Sequence, residues 1–192
     1  AAATLLRIGG LPTEWFVAFS ALGGAAVGFA STRTLGNFIA GLFVFVTRPF
    51  QVTDYVKIDN IEGVVEEITF NYTKILTSSN TLVYISNLKI LDQNVVNYRY
   101  RGAGKPPLYC YYIELGFDHA LSTEELEKGF DSVIKQYTEK LPKKPEYALL
   151  RTGAFERRYM FYLYVKKPKD IFALQVSFVK DIVAVWEKAK KR

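Results

Sequence analysis

The sequence predicts a membrane protein of the α+β class, in which an apolar helix precedes two water-soluble parts. Residues 15–46 carry one ionisable side chain, Arg33, whereas charged side chains recur every few positions after Thr47. Residues 50–100 break into short β-like runs, and residues 106–188 alternate strands with two helical stretches. We therefore divide the chain into a membrane-proximal connector (1–13), a transmembrane helix (14–47), a β domain (48–104) and a C-terminal α/β domain (105–192).

Composition narrows the classes of protein further. The 192 residues include 25 basic and 19 acidic side chains, for a net charge of +6. The 49% hydrophobic and 15% aromatic content excludes low-complexity disorder. Cys110 is the single cysteine, so a disulfide framework is excluded, and Cys110 with His119 cannot complete a Cys/His zinc site. We expect neither a metal nor another cofactor.

The apolar segment is too long for one straight span and divides near residues 31–34, which are polar. Residues 15–31 would form a helix of about 25 Å, close to the roughly 30 Å of a bilayer's hydrocarbon core. Residues 35–46 are too short to span and fit an interfacial or buried helix, and Pro49 ends the helical pattern. A kinked transmembrane helix is the prediction, and a buried helix of a soluble protein is the alternative.

We expect further membrane helices upstream. A signal peptide has a shorter apolar core and a small-residue cleavage site, which residues 15–46 do not match. The sequence begins at Ala1 without a methionine. A single membrane span would also not explain why residues 31–34 are polar.

Small residues crowd the first part of the helix, among them Gly24 and Gly28, a small-xxx-small pair of the kind that lets membrane helices approach closely. Small residues on more than one face predict neighbours on more than one side, as in a ring of identical helices. Helical spacing then places one stripe toward the ring axis. The stripe comprises Leu22, Ala25 or Ala26, Phe29 and Arg33. A glycine-zipper dimer without a pore is the alternative.

The region after the helix predicts a small barrel-like sheet followed by an α+β sandwich. Its β runs are 55–58, 64–68, 72–77, 81–85 and 95–98, with a tight turn at Glu62-Gly63. In the C-terminal part, Ser122 and Glu125 form a capping box that opens a helix ending near Lys140. The order of strands 108–117, 147–152 and 158–165 and a last helix at 170–188 is typical of a ferredoxin-like domain.

Residues 22–97 resemble the pore helix, neck and β domain of the MscS-like small-conductance mechanosensitive channels. The features that carry this resemblance are the Gly/Ala-rich helix, the run Leu35, Asn37 and Gly41, the triplet Arg48-Pro49-Phe50, the strand start Asp54-Tyr55-Val56, and Ser86-Asn87 followed by Asn94 and Asn97. The resemblance implies a homoheptamer with a pore lined by this helix, a Sm-like β domain, and a C-terminal vestibule with side portals.

The resemblance also implies an activity and a location. Members open under membrane tension and release ions and small solutes during osmotic downshock. The chain is then expected in the cell membrane as a multi-pass protein whose C-terminal domains lie in the cytoplasm. Its partners would be other copies of itself, membrane lipids and the permeating ions and osmolytes, and not nucleic acid.

Position by position, the family's two hydrophobic constriction sites match Ala25 and Phe29, so Phe29 is the expected main constriction. Leu22, Ala26 and Arg33 are expected to line the pore, and Gly24 and Gly28 to pack neighbouring helices. Arg33 replaces the glycine at which the family's pore helix kinks, so the hinge candidates are Arg33, Gly36 and Gly41. Arg48, Pro49 and Phe50 are expected to anchor the neck at the membrane.

Other functions fit less well, and we do not predict an enzyme. Asp118-His119 lacks a nucleophile motif and reads as a loop, and residues 102–105 lack the spacing of a phosphate-binding loop. The β domain and tyrosine-rich strand leave an RNA-binding protein as one alternative, but Tyr109, Tyr111 and Tyr112 lack a matching basic motif and fit core or subunit contacts better. A non-conducting membrane scaffold is the second alternative function.

Overall fold

The computed structural model describes residues 13–100 and 107–191 and contains one long helix, a five-stranded sheet and a four-stranded sheet with two helices. The α+β class is therefore confirmed. The predicted connector lies outside the described residues except for Thr13, and so does the segment 102–105.

The apolar segment is a single α-helix, α1 (Thr13–Thr47), of 35 residues. The prediction of two separate pieces at residues 31–34 is wrong, because helical hydrogen bonding continues through them. The Thr32 hydroxyl donates to the Gly28 carbonyl (3.0 Å) within the helix, in addition to the backbone ladder rather than in place of it. At about 1.5 Å per residue the helix is about 50 Å long, well over the thickness of a hydrocarbon core.

The β domain is a five-stranded antiparallel sheet with the strand order β4-β3-β2-β1-β5. Its strands are β1 (Tyr55–Ile58), β2 (Ile61–Ile68), β3 (Tyr72–Thr77), β4 (Leu82–Ser86) and β5 (Val95–Asn97), with a short helix, α2 (Asn87–Leu91), between β4 and β5. All five predicted strands are present, and most of their ends lie within two residues of the predicted ends.

One predicted turn is misplaced. The turn between β1 and β2 falls at Asp59 and Asn60, where Asp59 has a positive φ of 53°, and not at Glu62-Gly63. Gly63 lies inside β2, where a Cβ would collide with the Leu76 carbonyl of β3. Glycine at this position therefore reflects a close approach of two strands rather than a turn.

The C-terminal domain is a second antiparallel sheet with the order β6-β7-β9-β8. Its elements are β6 (Arg99–Tyr100), β7 (Leu108–Asp118), α3 (Thr123–Thr138), β8 (Glu146–Thr152), β9 (Glu156–Val165) and α4 (Asp170–Lys190). The predicted order of strands and helices is confirmed, and β6 is an addition that the sequence did not indicate.

Both C-terminal helices pack on one face of this sheet, because alternate residues of β7 and β9 are apolar and buried beneath them. The predicted capping box is present at the start of α3. Ser122 Oγ accepts from the Glu125 N–H (3.2 Å), and Glu125 Oε2 accepts from the Ser122 N–H (3.1 Å). These bonds satisfy backbone donors at the start of a helix, which fixes where α3 begins.

Candidate functional site

The helix α1 has two unlike parts. Residues 14–35 are exposed to solvent on every side in the single chain. From residue 36 onward one stripe of the helix is covered by the β domain, with Ala40 and Val44 essentially buried. The stripe repeats with the helical period, so the lower part of α1 is docked and the upper part is free.

The predicted pore residues lie on the free part of α1. Phe29 is 82% exposed and Leu22 is 70% exposed. Ala25, Ala26 and Arg33 are exposed as well. The constriction and pore-lining roles of these five residues stay predictions, because one chain forms only one wall of a pore.

The two packing glycines also face open space. An added Cβ at Gly24 or Gly28 would meet nothing within 4 Å in the described part of the chain. The helix surface there is smooth and unoccupied, as a close helix neighbour requires. Their role in packing neighbouring helices stays a prediction.

The lower part of α1 is held by Asn37, whose Oδ1 accepts from the Ser86 hydroxyl (2.7 Å) and from the Leu88 N–H (3.0 Å). Ser86 is the N-cap of α2. One side-chain oxygen on α1 therefore receives two donors from the start of α2. We call this contact the helix junction.

Gly41, one turn below, completes the helix junction. An added Cβ would lie 2.7 Å from Asn87 Nδ2 and closer still to the Phe70 carbonyl oxygen. Asn87 is fully buried, donates to the Thr69 carbonyl (2.7 Å) and accepts from the Thr73 hydroxyl (2.9 Å). Because glycine has no Cβ, α1 can pack directly against the buried side-chain amide of Asn87.

The three hinge candidates differ in their surroundings. Arg33 is exposed, a Cβ on Gly36 would lie 3.2 Å from Leu88 Cδ2, and Gly41 is packed tightly against the β domain. All three lie inside the uninterrupted helix α1. A hinge at any of them stays a prediction, and close packing is a sufficient reason for glycine at 41.

The predicted neck anchor is the point where α1 ends. Arg48 has a φ of 49°, and its N–H donates to the Val44 carbonyl (2.9 Å), which closes the helix with a left-handed residue. Pro49 follows, and its carbonyl accepts from Asn97 Nδ2 (3.1 Å). Phe50 is buried in the core of the β domain. Arg48 itself is exposed, and the anchoring role stays a prediction.

A buried carboxylate joins the end of α1 to both domains. Asp54 is 1% exposed, and its carboxylate accepts five hydrogen bonds. Oδ2 receives the Gln51 N–H (2.9 Å) and Asn97 Nδ2 (3.0 Å), and Oδ1 receives Arg99 Nε (3.1 Å), Arg99 Nη2 (2.6 Å) and the Tyr109 hydroxyl (3.1 Å). We call this network the carboxylate junction. Burial and then the Asp54 charge raise the pKa of Tyr109.

Aromatic rings seal the boundary between the two domains. The Tyr55 ring lies 5.3 Å from Tyr98, 5.7 Å from Tyr111 and 5.7 Å from Phe172, measured between ring centroids. Burial raises the pKa of Tyr55, Tyr98 and Tyr111. The sequence suggested that Tyr109, Tyr111 and Tyr112 are core residues or subunit contacts. Tyr109 and Tyr111 are core residues, at 4% and 5% exposed, whereas Tyr112 is 38% exposed and lies outside the core.

The residues considered for chemistry contact structural partners instead. His119 follows β7 in a turn, and its Nε2 lies 2.9 Å from the Gly153 carbonyl oxygen. Asp118 Oδ2 lies 2.5 Å from Lys190 Nζ, which lowers the pKa of Asp118. Among residues 13–100 and 107–191, no group of three or more His, Cys, Asp or Glu side chains is placed to hold a metal ion.

The fold and these junctions define a class of protein in which a long, exposed apolar helix leads into a β domain and then into an α/β domain. Residues 14–47 are long and apolar enough to cross a membrane, with a mean hydropathy of 1.4 over an 18-residue window that is 0% buried. The mechanosensitive ion channel β-domain family matches residues 33–100. That range contains the helix junction and most of the carboxylate junction.

Two individual relatives and one solved structure show the same similarity to mechanosensitive channels. The chain is 31% identical over 121 residues to the small-conductance mechanosensitive channel MscMJ of Methanocaldococcus jannaschii, covering 63% of this chain and 33% of that protein. It is 38% identical over 90 residues to the low conductance mechanosensitive channel YnaI of Escherichia coli K12, covering 46% and 26%. The closed-state crystal structure of Helicobacter pylori MscS has the same fold, with a TM-score of 0.61, 20% identity, and coverage of 93% of this chain and 69% of that one.

The resemblance to the MscS-like mechanosensitive channels that the sequence indicated is confirmed by the family match and by these relatives. The chain spans about a third of the length of the first curated relatives it matches, at 33%, 32% and 34%.

Sequence reasoning missed the carboxylate junction. Asp54, Asn97 and Pro49 were recognised as family features, but the hydrogen bonds that Asn97 donates to Asp54 and to the Pro49 carbonyl were not anticipated. Arg99 and Gln51 were not singled out at all. The available signal was an acidic residue directly before a buried strand, which demands a buried donor.

Proposed function

We propose that this chain forms the pore-lining helix and the membrane-distal domains of a homo-oligomeric ion channel that membrane tension opens. The observation that carries the proposal is the free part of α1, an apolar helix with every side exposed, attached to a mechanosensitive-channel β domain. So large an apolar surface requires lipid or other helices around it. The two named relatives are mechanosensitive channels by their names.

The stripe that contains Phe29 supplies the closed barrier. A ring of phenylalanine side chains makes a narrow apolar constriction that sheds water, so ions face a dehydration barrier without complete steric closure. Glycine and alanine flanks leave α1 free to slide and tilt against its neighbours. The conformation with the larger in-plane area gains population as tension rises.

The junctions supply the fixed end of this movement. Asn37 and Gly41 hold the lower part of α1 to the β domain, and Asp54 ties the end of α1 to both domains. When the free part of α1 moves, the lower part therefore stays in place against the β domain. A bend between the two parts, near Arg33 or Gly36, is the kink that we propose for the pore helix.

We also propose the finer architecture and setting that the resemblance implies. The strand order β7-β9-β8 with both helices on one face supports a ferredoxin-like domain, and the five-stranded β domain supports a Sm-like barrel. A heptameric ring, a multi-pass location in the cell membrane with these domains in the cytoplasm, and passage of ions and small osmolytes during hypo-osmotic shock complete the proposal.

The test is a current recording from the full-length protein in liposome patches under suction. Wild type should conduct above a threshold suction, and Phe29→Ser should lower that threshold or leak at rest because it wets the constriction. Val27→Ser is the matched control, since residue 27 points about 200° away around the helix. Absence of current in wild type would favour a non-conducting scaffold. Equal effects of the two variants would mean that Phe29 is not the constriction.

A further inference from the structure

The two helices of the C-terminal domain leave a groove between them near the end of α4. Gly129 of α3 and Val185 of α4 both line it, and a Cβ on Gly129 would lie 2.8 Å from Val185 Cγ1, so the helices approach closely there. The groove has a volume of about 430 Å³ and is also lined by Lys128 and Lys188. Cavities of this size accommodate small organic ligands. We call it the α3–α4 groove.

A small recess adjoins the α3–α4 groove. It has a volume of about 10 Å³ and shares five lining residues with the groove, among them Gly129, Val185 and Ala189. Phe130 and Trp186 line the recess but not the groove. A volume of this size is at the lower limit for one water molecule, so the recess accepts a single oxygen atom and nothing larger.

The indole N–H of Trp186 is a buried donor without an acceptor among residues 13–100 and 107–191. The ring is packed in place, since its centroid lies 5.9 Å from that of Phe117 and 5.1 Å from Lys190 Nζ. Buried indole N–H groups ordinarily have an acceptor, because an unmade hydrogen bond leaves the full desolvation cost of the donor. Because Trp186 lines the recess, the recess is where such an acceptor fits.

Positive charge surrounds the α3–α4 groove. Lys128 and Lys188 line it from opposite helices, and neither forms an ion pair within the described part of the chain. Glu125 also lines the groove, but its Oε2 already accepts from the Ser122 N–H (3.1 Å) and from the Ser122 hydroxyl (2.8 Å). The groove therefore offers two ammonium groups to an anion.

We propose that the α3–α4 groove binds a small soluble organic phosphate. One phosphate oxygen enters the recess and accepts from Trp186 Nε1, and the other two terminal oxygens accept from Lys128 and Lys188. The organic part of the ligand lies along the apolar side of the groove, beside Val185 and Ala189. Three separate donors match the three terminal oxygens of a phosphate monoester, whereas a carboxylate has only two oxygens.

Two contributions of different kinds hold this ligand. A phosphate monoester carries a charge of about −1.5 to −2 at pH 7, and lysine binds it as a point charge. Salt screens this attraction, because Lys128 and Lys188 are both exposed. The hydrogen bond from the buried indole N–H is screened much less. We therefore expect the affinity to fall, but not to vanish, as the salt concentration rises.

Isothermal titration of the full-length protein in detergent with phenyl phosphate tests the proposal, read against a detergent-only blank. Phenyl phosphate should bind about tenfold more tightly than inorganic phosphate, because its ring buries apolar surface in the groove. Benzyl alcohol, which has the ring without the phosphate, should give no heat of binding. Equal affinities for phenyl phosphate and inorganic phosphate would overturn the site, since surface charge alone would then attract the anion.

Three variants test the individual contacts. Trp186→Phe removes the indole donor and keeps an aromatic ring, so phenyl phosphate should bind about tenfold more weakly. Lys128→Ala combined with Lys188→Ala should also weaken binding by about tenfold. The matched control combines Lys135→Ala with Lys180→Ala, which removes one exposed lysine from each helix outside the groove. It should change the affinity by less than about twofold.

Equal weakening by the two lysine pairs, or an unchanged affinity in Trp186→Phe, would overturn the proposal. Ala189→Leu covers the case in which Trp186→Phe does not fold, because it fills the groove and leaves the indole in place. Phenyl phosphate should raise the thermal midpoint of wild type but not that of Ala189→Leu, and an equal rise in both would again overturn the site. Binding is measured without any current, so its failure leaves the proposed function untouched.

Discussion

Asn37 on the apolar helix and Ser86 at the start of α2 are 49 residues apart in sequence, yet their side-chain oxygens lie 2.7 Å apart. Because Asn37 Oδ1 also accepts the Leu88 N–H, one atom holds the helix to the β domain through two donors. Asn37→Ala leaves both donors without a partner in a half-buried place. We expect a loss of about 1–3 kcal/mol in the free energy of unfolding, measured by urea denaturation of the protein in detergent.

Asn37→Asp is the matched control for this prediction. It keeps the oxygen that accepts both hydrogen bonds, and its charge faces the start of a helix, which favours an anion. Its loss should be less than half that of Asn37→Ala. Equal losses would mean that the acceptor oxygen is not what stabilises the helix junction.

The sequence identified Asn37 and Ser86 as features of the family, but only the structure shows that they bond to each other. The period-2 and period-3.6 patterns locate strands and helices because those patterns are local, which explains why the bounds of β1 and β3 agree. Contacts between residues 40 to 55 positions apart leave no local pattern. The carboxylate junction was therefore not predictable from spacing.

Polar residues at 31–34 misled the helix prediction for a physical reason. A threonine hydroxyl can disturb a helix by competing for backbone groups, but Thr32 bonds to the Gly28 carbonyl and the helix continues. The pore residues present a different difficulty. Phe29 is 82% exposed in the single chain, and its predicted role as a constriction depends on neighbouring helices that one chain does not supply.

Gly41→Ala should separate α1 from the β domain. The added methyl group would lie 2.7 Å from Asn87 Nδ2 and closer to a backbone carbonyl that cannot rotate away. Overpacking of this kind costs about 1–3 kcal/mol. The measurement is the thermal unfolding midpoint in detergent. Gly23→Ala is the control, because its added methyl group meets nothing within 4 Å among residues 13–100 and 107–191. It should leave the midpoint unchanged or higher, since alanine favours a helix.

Asp54→Asn should weaken the link between the two domains. Every group that contacts this carboxylate is a donor, so an amide NH₂ at the same place would face the Gln51 N–H or the Arg99 guanidinium. The lost ion pair adds to the cost, which we place at about 2 kcal/mol because the Arg99 side chain is 36% exposed and partly screened. The measurement is the urea midpoint.

Lys169→Ala provides the comparison for Asp54→Asn. Its ammonium lies 3.6 Å from Glu66, and the Lys169 side chain is 63% exposed. Removal of such a surface pair should cost less than about 0.5 kcal/mol. Similar losses in the two variants would show that burial of Asp54 does not strengthen its contacts.

The capping box predicts a pH dependence of stability. Hydrogen bonds from Ser122 hold the pKa of Glu125 below its ordinary value of 4.5 in the folded protein. A lowered folded-state pKa contributes stability that is present above the unfolded pKa and is lost as pH falls through the folded one. Wild type should therefore exceed Glu125→Gln in thermal midpoint at pH 7, and the difference should shrink below pH 4.5. Glu124→Gln, on the same turn without these bonds, should follow wild type.

Arg33→Glu tests the charge at the narrow end of the predicted pore. Arg33 is exposed and follows Phe29 by one helical turn, so a ring of copies would place cations beside the constriction and favour anions. The variant should shift the reversal potential in a salt gradient toward cation preference. Arg48→Glu, beyond the end of α1, is the charge-matched control and should shift it less. An unchanged reversal potential in Arg33→Glu would place this arginine against lipid headgroups or the neck rather than along the path of ions.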